Sequence, residues 1–219
     1  MATMSRGSSV TRPSLVDKIE LWFSKSRVID GLWIGSFQSD AEPALLRIEA
    51  ALRLIERVAP LHYRRIKTNL SRIWVQLFPY GAGCYRHSLN ACLLDERFIA
   101  SETTTVECIA SAIVHEATHA RLEKLGIHYD ETVRHRIERI CARRELDFVR
   151  RLSGADTLQE EISWRLEQCD QENAFFTDQS IRQEIFQGNV EILRHLGMPE
   201  WVIARIRRFT RRIAGASFQ

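Results

Sequence analysis

The sequence predicts an α+β fold that is predominantly helical, and three observations carry that prediction. Apolar residues recur at three- and four-residue steps through most of the chain, the mark of helices with one buried stripe. β-type alternation is convincing in only two stretches, residues 73–78 and 91–94. The chain has 219 residues and 45% apolar content, enough for one substantial core, so a single domain over 14–219 is expected, with 155–219 as a helical C-terminal part.

The opening residues 1–13 are polar and lack the apolar centre of a secretion signal, and they read as a flexible tail. Residues 14–26 suggest a short amphipathic helix, and the turn-rich "IDGLWIGSFQSDAEP" leads to a longer helix over about 43–58. The two β-like runs follow, separated by the turn-forming "YGAGCYRHS", and suggest a small sheet. From about 155 the pattern is helical, with segments near 157–174, 178–196 and 199–214 divided by Gly154, the "FFTDQ" junction and "GMPE".

Composition narrows the function classes. A formal charge of +3 does not demand a polyanionic partner, and no apolar run is long enough for a membrane span. The last helix carries Arg205, Arg208, Arg211 and Arg212 around an apolar stripe of Val202, Ile206, Phe209 and Ile213. That basic amphipathic segment, 199–214, offers an alternative role as an adaptor for nucleic acid or an anionic membrane surface. Five cysteines, Cys84, Cys92, Cys108, Cys141 and Cys169, are odd in number and lack C-x-x-C spacing. They read as reduced core thiols of a cytoplasmic protein, not as a disulfide frame or a cysteine-based metal site.

The chemistry concentrates in "ECIASAIVHEATHARLEKLG", residues 107–126. A shuffle of this composition would show H-E-x-x-H with a probability of about 0.02, so context decides its meaning. Thr104 and Glu107 have capping-box spacing, Val106, Ile109, Ala110, Ile113, Val114 and Ala117 form an apolar stripe, and Gly126 offers a stop. A helix over about 104–125 follows. On it His115 and His119 lie one turn apart on the same face, so two ring nitrogens can reach one ion.

HEATH, His115-Glu116-Ala117-Thr118-His119, resembles the signature of the zincin metallopeptidases. The resemblance implies a zinc-dependent peptide hydrolase in which His115 and His119 bind Zn2+ and Glu116 is the general base. The residue types suit that role, since neutral imidazoles fit a borderline-soft dication and a carboxylate can take the proton from the attacking water. The metzincin branch is excluded, because Leu122 and Leu125 stand where its Gly and His belong. The gluzincin branch takes a glutamate from the next helix, and Glu138, with 18 residues between it and His119, matches that spacing.

A short connection and a second helix over about 131–152, capped by Asp130, can bring Glu138 to the histidines in an antiparallel pair. Glu131, Glu145, His128 and His135 are rival third ligands. Ala142 stands four positions after Glu138, where the aminopeptidase pattern has an acid, so the resemblance covers about residues 104–138 and supports the superfamily rather than aminopeptidase activity. Tyr129, His128, Tyr85 and His87 have the chemistry to stabilise an oxyanion, and Asp95, Asp147 or Glu145 to hold a histidine's far nitrogen. The zincin arrangement also implies an edge strand ahead of the active helix that pairs with an extended peptide; the alternative is a core hairpin. A zinc-binding relative without proteolytic activity is the remaining alternative.

Overall fold

The structure, a computed structural model, describes residues 13–170 and 177–216; residues 1–12 of the expected tail and part of the "FFTDQ" junction lie outside them, as do the side chains of Phe209, Arg211, Arg212 and Ile213. The fold is α+β and mostly helical, with one five-stranded mixed sheet. No helix among the described residues is long and apolar enough to cross a membrane.

Helix α1 (Leu15–Phe23) begins with a capping box between Ser14 and Asp17 and is shorter than the expected 14–26. The chain turns at once into β1 (Lys25–Ile29) and β2 (Leu32–Ser36), an antiparallel hairpin closed at Asp30-Gly31, both at positive φ. Neither strand was legible as one. β1 lies at the sheet edge and is largely exposed, while β2 is buried on both faces, so neither shows simple alternation. The Asp-Gly pair was the available signal.

Helix α2 (Glu42–Val58) matches the expected segment, and α3 (Pro60–Asn69) follows after Ala59, with proline at its first position. The two β-like runs are β3 (Arg72–Gln76) and β5 (Ala91–Asp95), but they do not form a hairpin. They pair in parallel, Ile73 opposite Cys92, because the stretch between them contains a further strand, β4 (Gly83–Arg86), which pairs antiparallel with the far side of β5. The order is β1-β2-β3-β5-β4, so β4 is an edge.

Alternation along β3 and β5 divides the core into two layers. Ile73, Val75, Cys92 and Leu94 face the helices, packing with Ile48, Leu52 and Ile55 of α2 and the apolar side of the HEATH helix. Trp74, Ala91 and Leu93 face the other way, toward Leu21 and Trp33. Trp74 also donates its indole N–H to Ser24 Oγ at 3.0 Å, anchoring the end of α1. The rest of α1 stays open: Leu15, Trp22 and Phe23 are largely exposed, so its apolar stripe is mostly uncovered.

A short helix α4 (Glu96–Ala100), capped by Asp95, leads into α5 (Val106–Lys124), which carries HEATH. Arg47 of α2 fixes this approach, donating to the carbonyls of Ile99, Ser101 and Thr104. The expected capping box on Thr104 is not formed. Thr105 is the cap, accepting from the Cys108 N–H, and the helix starts one residue later. Its end is as expected: Gly126 takes φ 79°, with Gly126 N–H bonding to the Glu123 carbonyl and Ile127 N–H to that of Leu122.

Helix α6 (Arg134–Val149) begins later than expected, with no side-chain cap. Asp130 is spent on a turn, accepting from the Thr132 N–H and hydroxyl instead of capping a helix. Then come α7 (Asp156–Asp170), α8 (Asp178–His195) and α9 (Glu200–Ala216), close to the expected segments. All five cysteines are free.

His62, on α3, is buried with its ring edge-on to Phe148. Burial, reinforced by Arg65, Arg151 and Arg144 against Asp147, holds its pKa down at about 4. The folded chain therefore keeps His62 neutral where the unfolded chain protonates near its ordinary value of 6.5. Stability from this group is complete above that value and is lost as the pH falls toward the folded value. His62→Leu is expected to remove up to about 3 kcal/mol of the acid-side stability loss, read as a flatter pH profile in urea denaturation.

Candidate metal centre

Helix α5 lies between the sheet and α6, so its faces meet different partners. Ile109, Ala110, Ile113 and Ala120 are fully buried toward the core, while His115 and His119 point to α6. Their Nε2 atoms stand 3.2 Å apart. Glu138 arrives from the second turn of α6 with Oε2 at 3.3 Å from His115 Nε2 and Oε1 at 3.5 Å from His119 Nε2.

Those separations test the fit of a cation. Donors about 2.0–2.1 Å from a tetrahedral zinc stand roughly 3.3–3.4 Å from one another. The nitrogen–nitrogen contact and the two contacts to separate Glu138 oxygens each fall close to that edge length. Two imidazoles and a carboxylate are also the donor types that zinc takes.

The free ring nitrogen of His115 is held as well. Glu145 Oε2 lies 3.0 Å from His115 Nδ1, and its other oxygen accepts from Ser111 Oγ at 2.6 Å and Arg165 Nη2 at 2.9 Å. With Glu138 and Glu145 on opposite nitrogens, His115 is fixed in orientation. Arg165 comes from α7, and no local pattern in the sequence pointed to it.

The electrostatics follow from burial. Burial alone would raise the Glu138 and Glu145 carboxyls, but contact with the imidazoles outweighs it, keeping Glu138 well below the usual range and Glu145 down to about 2. Burial disfavours the charged form of His115, yet hydrogen bonds to Glu138 and Glu145 raise it well above its ordinary value. Glu116 behaves differently: burial dominates and pushes its carboxyl up, against the pull of His119 and His115. Neighbouring acids thus have unlike environments.

Glu116 faces away from α6 toward the sheet edge. A Cβ at Gly83 of β4 would stand 3.2 Å from its Cγ and from Oε1, so the absence of a side chain at 83 leaves room for this carboxylate. Beyond Gly83, Cys84 shares a 3.2 Å contact with the Tyr80 hydroxyl. Burial raises the Cys84 thiol to about 11.

Of the rival ligands, Glu131 accepts from the Asp178 N–H, His128 pairs with Glu123 at 2.8 Å on the surface, and Glu145 meets His115 at the nitrogen away from Glu138. His135 is half-buried one turn before Arg139. Of the oxyanion candidates, Tyr129 reaches the site, donating to Glu138 Oε1 at 2.6 Å with its ring edge-on to His119. Tyr85 donates to Asn90, and His87 pairs with Glu123. Asp95 is engaged with Arg97 and Asp147 with Arg144, so Glu145 alone of the three expected carboxylates meets a HEATH histidine.

One member was missed. Cys141, placed among the core thiols, has its sulfur within 4.8 Å of ring nitrogens of both His115 and His119. Its position three residues after Glu138, on the same side of α6, was the available signal. Burial, with Glu138 next, raises its thiol well above the ordinary value.

Compared with protein-family models, curated proteins and solved structures, the chain matches none.

Glu145 joins α5, α6 and α7 at one buried carboxylate. Glu145→Ala strands Arg165 and frees His115 Nδ1, and is expected to destabilise the metal-free chain by about 3–5 kcal/mol in urea denaturation, with Glu145→Gln recovering part of the loss.

Proposed function

We propose that this chain is a zincin-like, zinc-dependent peptide hydrolase of gluzincin type, with His115, His119 and Glu138 holding the metal. The observation that carries the reading is the meeting of two facing imidazole nitrogens and one carboxylate at ligand-edge distances, with a second, differently tuned carboxylate one residue along the same helix. A zinc ion held by His115, His119 and Glu138 would supply a Lewis acid that lowers the pKa of a water to about 7. Glu116, whose carboxyl is raised by burial, would act as the general base, taking a proton from the attacking water and passing it to the leaving amine. Glu145 and Arg165 keep His115 oriented throughout. Tyr129, whose hydroxyl donates to the Glu138 carboxylate, is the candidate for steadying charge on the attacked carbonyl. The edge strand β4, beside Glu116, offers backbone groups to an extended peptide. The free thiols accord with a reducing, cytoplasmic setting.

Cys141 favours a second reading. If its thiolate joined His115, His119 and Glu138, the four ligands would close the coordination sphere and leave a zinc protein without hydrolytic activity. The Glu138 oxygens at 3.3 and 3.5 Å from the two Nε2 atoms support the carboxylate as third ligand. A basic adaptor role for 199–214 rests on charge alone and has no comparable geometric support.

Metal analysis and a peptide-library cleavage assay decide among these. Under the hydrolase reading, His115→Ala and Glu138→Ala lower zinc affinity at least about tenfold, while Glu116→Gln keeps zinc and loses cleavage by about a hundredfold or more. Full zinc occupancy in Glu138→Ala overturns that ligand assignment. A thiolate-to-metal charge-transfer band in the cobalt-substituted protein, lost in Cys141→Ser, together with no cleavage, establishes the closed site instead.

A further inference from the structure

A separate cavity of about 170 Å³ lies between α3, α5 and α6, on a different face of α5 from the histidines. Its floor is apolar, formed by the buried Ile66, Val114 and Ala117 among others, and its rim carries Arg65, Arg121 and Arg144. Three guanidinium groups from three helices thus converge on one small concavity.

Nothing among the described residues neutralises them fully. Arg144 pairs with Asp147 at 3.3 Å, but Arg65 and Arg121 form no ion pair with a carboxylate among the described residues. Arg65 is destabilised in its charged form by burial and then by Arg121 and Arg144. His62 lies at the same wall, and its ring makes no hydrogen bond to another described residue. Packing like charges together around an apolar pocket costs stability unless an anion joins them.

We propose that this cavity binds a small organic oxyanion, a carboxylate or phosphate monoester bearing a short apolar group. The guanidinium forks of Arg65 and Arg121 take the charged head in charge-assisted, bidentate contacts. The apolar floor takes the stem. The volume is below the roughly 300–1,000 Å³ of pockets that enclose drug-sized ligands, which selects a short chain over a nucleotide. Leu122 lines this cavity and packs on Ile137 and Cys141, so the ligand would sit one side-chain layer from the histidine pair without touching it.

The test is calorimetric titration of the metal-free full chain with hexanoate, hexyl phosphate and inorganic phosphate, so the outcome does not depend on zinc. Saturable one-to-one binding of hexanoate or hexyl phosphate is expected, and the tighter of the two identifies the head group. Inorganic phosphate binds more weakly. Arg65→Gln and Arg121→Gln each weaken binding by about tenfold or more. Leu125→Glu, at an exposed rim position that leaves the core intact, weakens it similarly by repulsion. Failure of both amphiphiles to saturate, equal binding of inorganic phosphate, or unchanged affinity in these variants with wild-type thermal melts would each overturn the proposal.

Discussion

Burial of acidic groups around two imidazoles is the constraint on which the centre of this protein depends. Glu116 and Glu145 are almost fully buried and Glu138 is largely so, all within one region between α5, α6 and the sheet edge. An unpaired carboxylate in such surroundings costs several kcal/mol. Here the cost is offset by directed contacts: the imidazoles on Glu138 and Glu145, Ser111 and Arg165 on Glu145, and the Tyr129 hydroxyl on Glu138. The contacts come from α5, α7 and the 127–133 connection onto carboxylates of α6, so the charge cluster ties these four segments to one geometry.

The architecture around it serves to place α5. Its apolar side is fixed by α2 and the inner face of β3 and β5, its approach by Arg47, and its end by the turn at Gly126. With the helix held on those sides, the HEATH histidines are left facing α6 and Glu116 is left facing β4. One motif therefore presents two chemistries in two directions, because successive helix positions differ by about 100° of rotation.

Much of this was legible locally. The HEATH helix, the Gly126 stop and the order of the C-terminal helices follow from apolar periodicity and from residues with strong backbone preferences. The sheet was less legible. β1 is exposed, β2 is buried on both sides and β4 has only four residues, so none carries the two-residue alternation that reveals a strand. Missing β4 also hid the parallel pairing of β3 with β5 and the contact between Gly83 and Glu116.

The sequence by itself determined that His115 and His119 share a helix face and that acids follow on the next helix, since both are consequences of helical spacing. It did not determine which acid meets which nitrogen. Glu138 and Glu145 are seven residues apart and lie on nearly the same face of α6, so either satisfies the periodicity. The axial offset between α5 and α6, set by side-chain packing along their whole contact, decided that Glu138 meets both Nε2 atoms and Glu145 takes Nδ1. The same packing brought Arg165 to the site from a helix with no local pattern pointing there, and decided that the Cys141 side of α6 faces the histidines, because long-range contacts are fixed by the complete core and not by any segment of it.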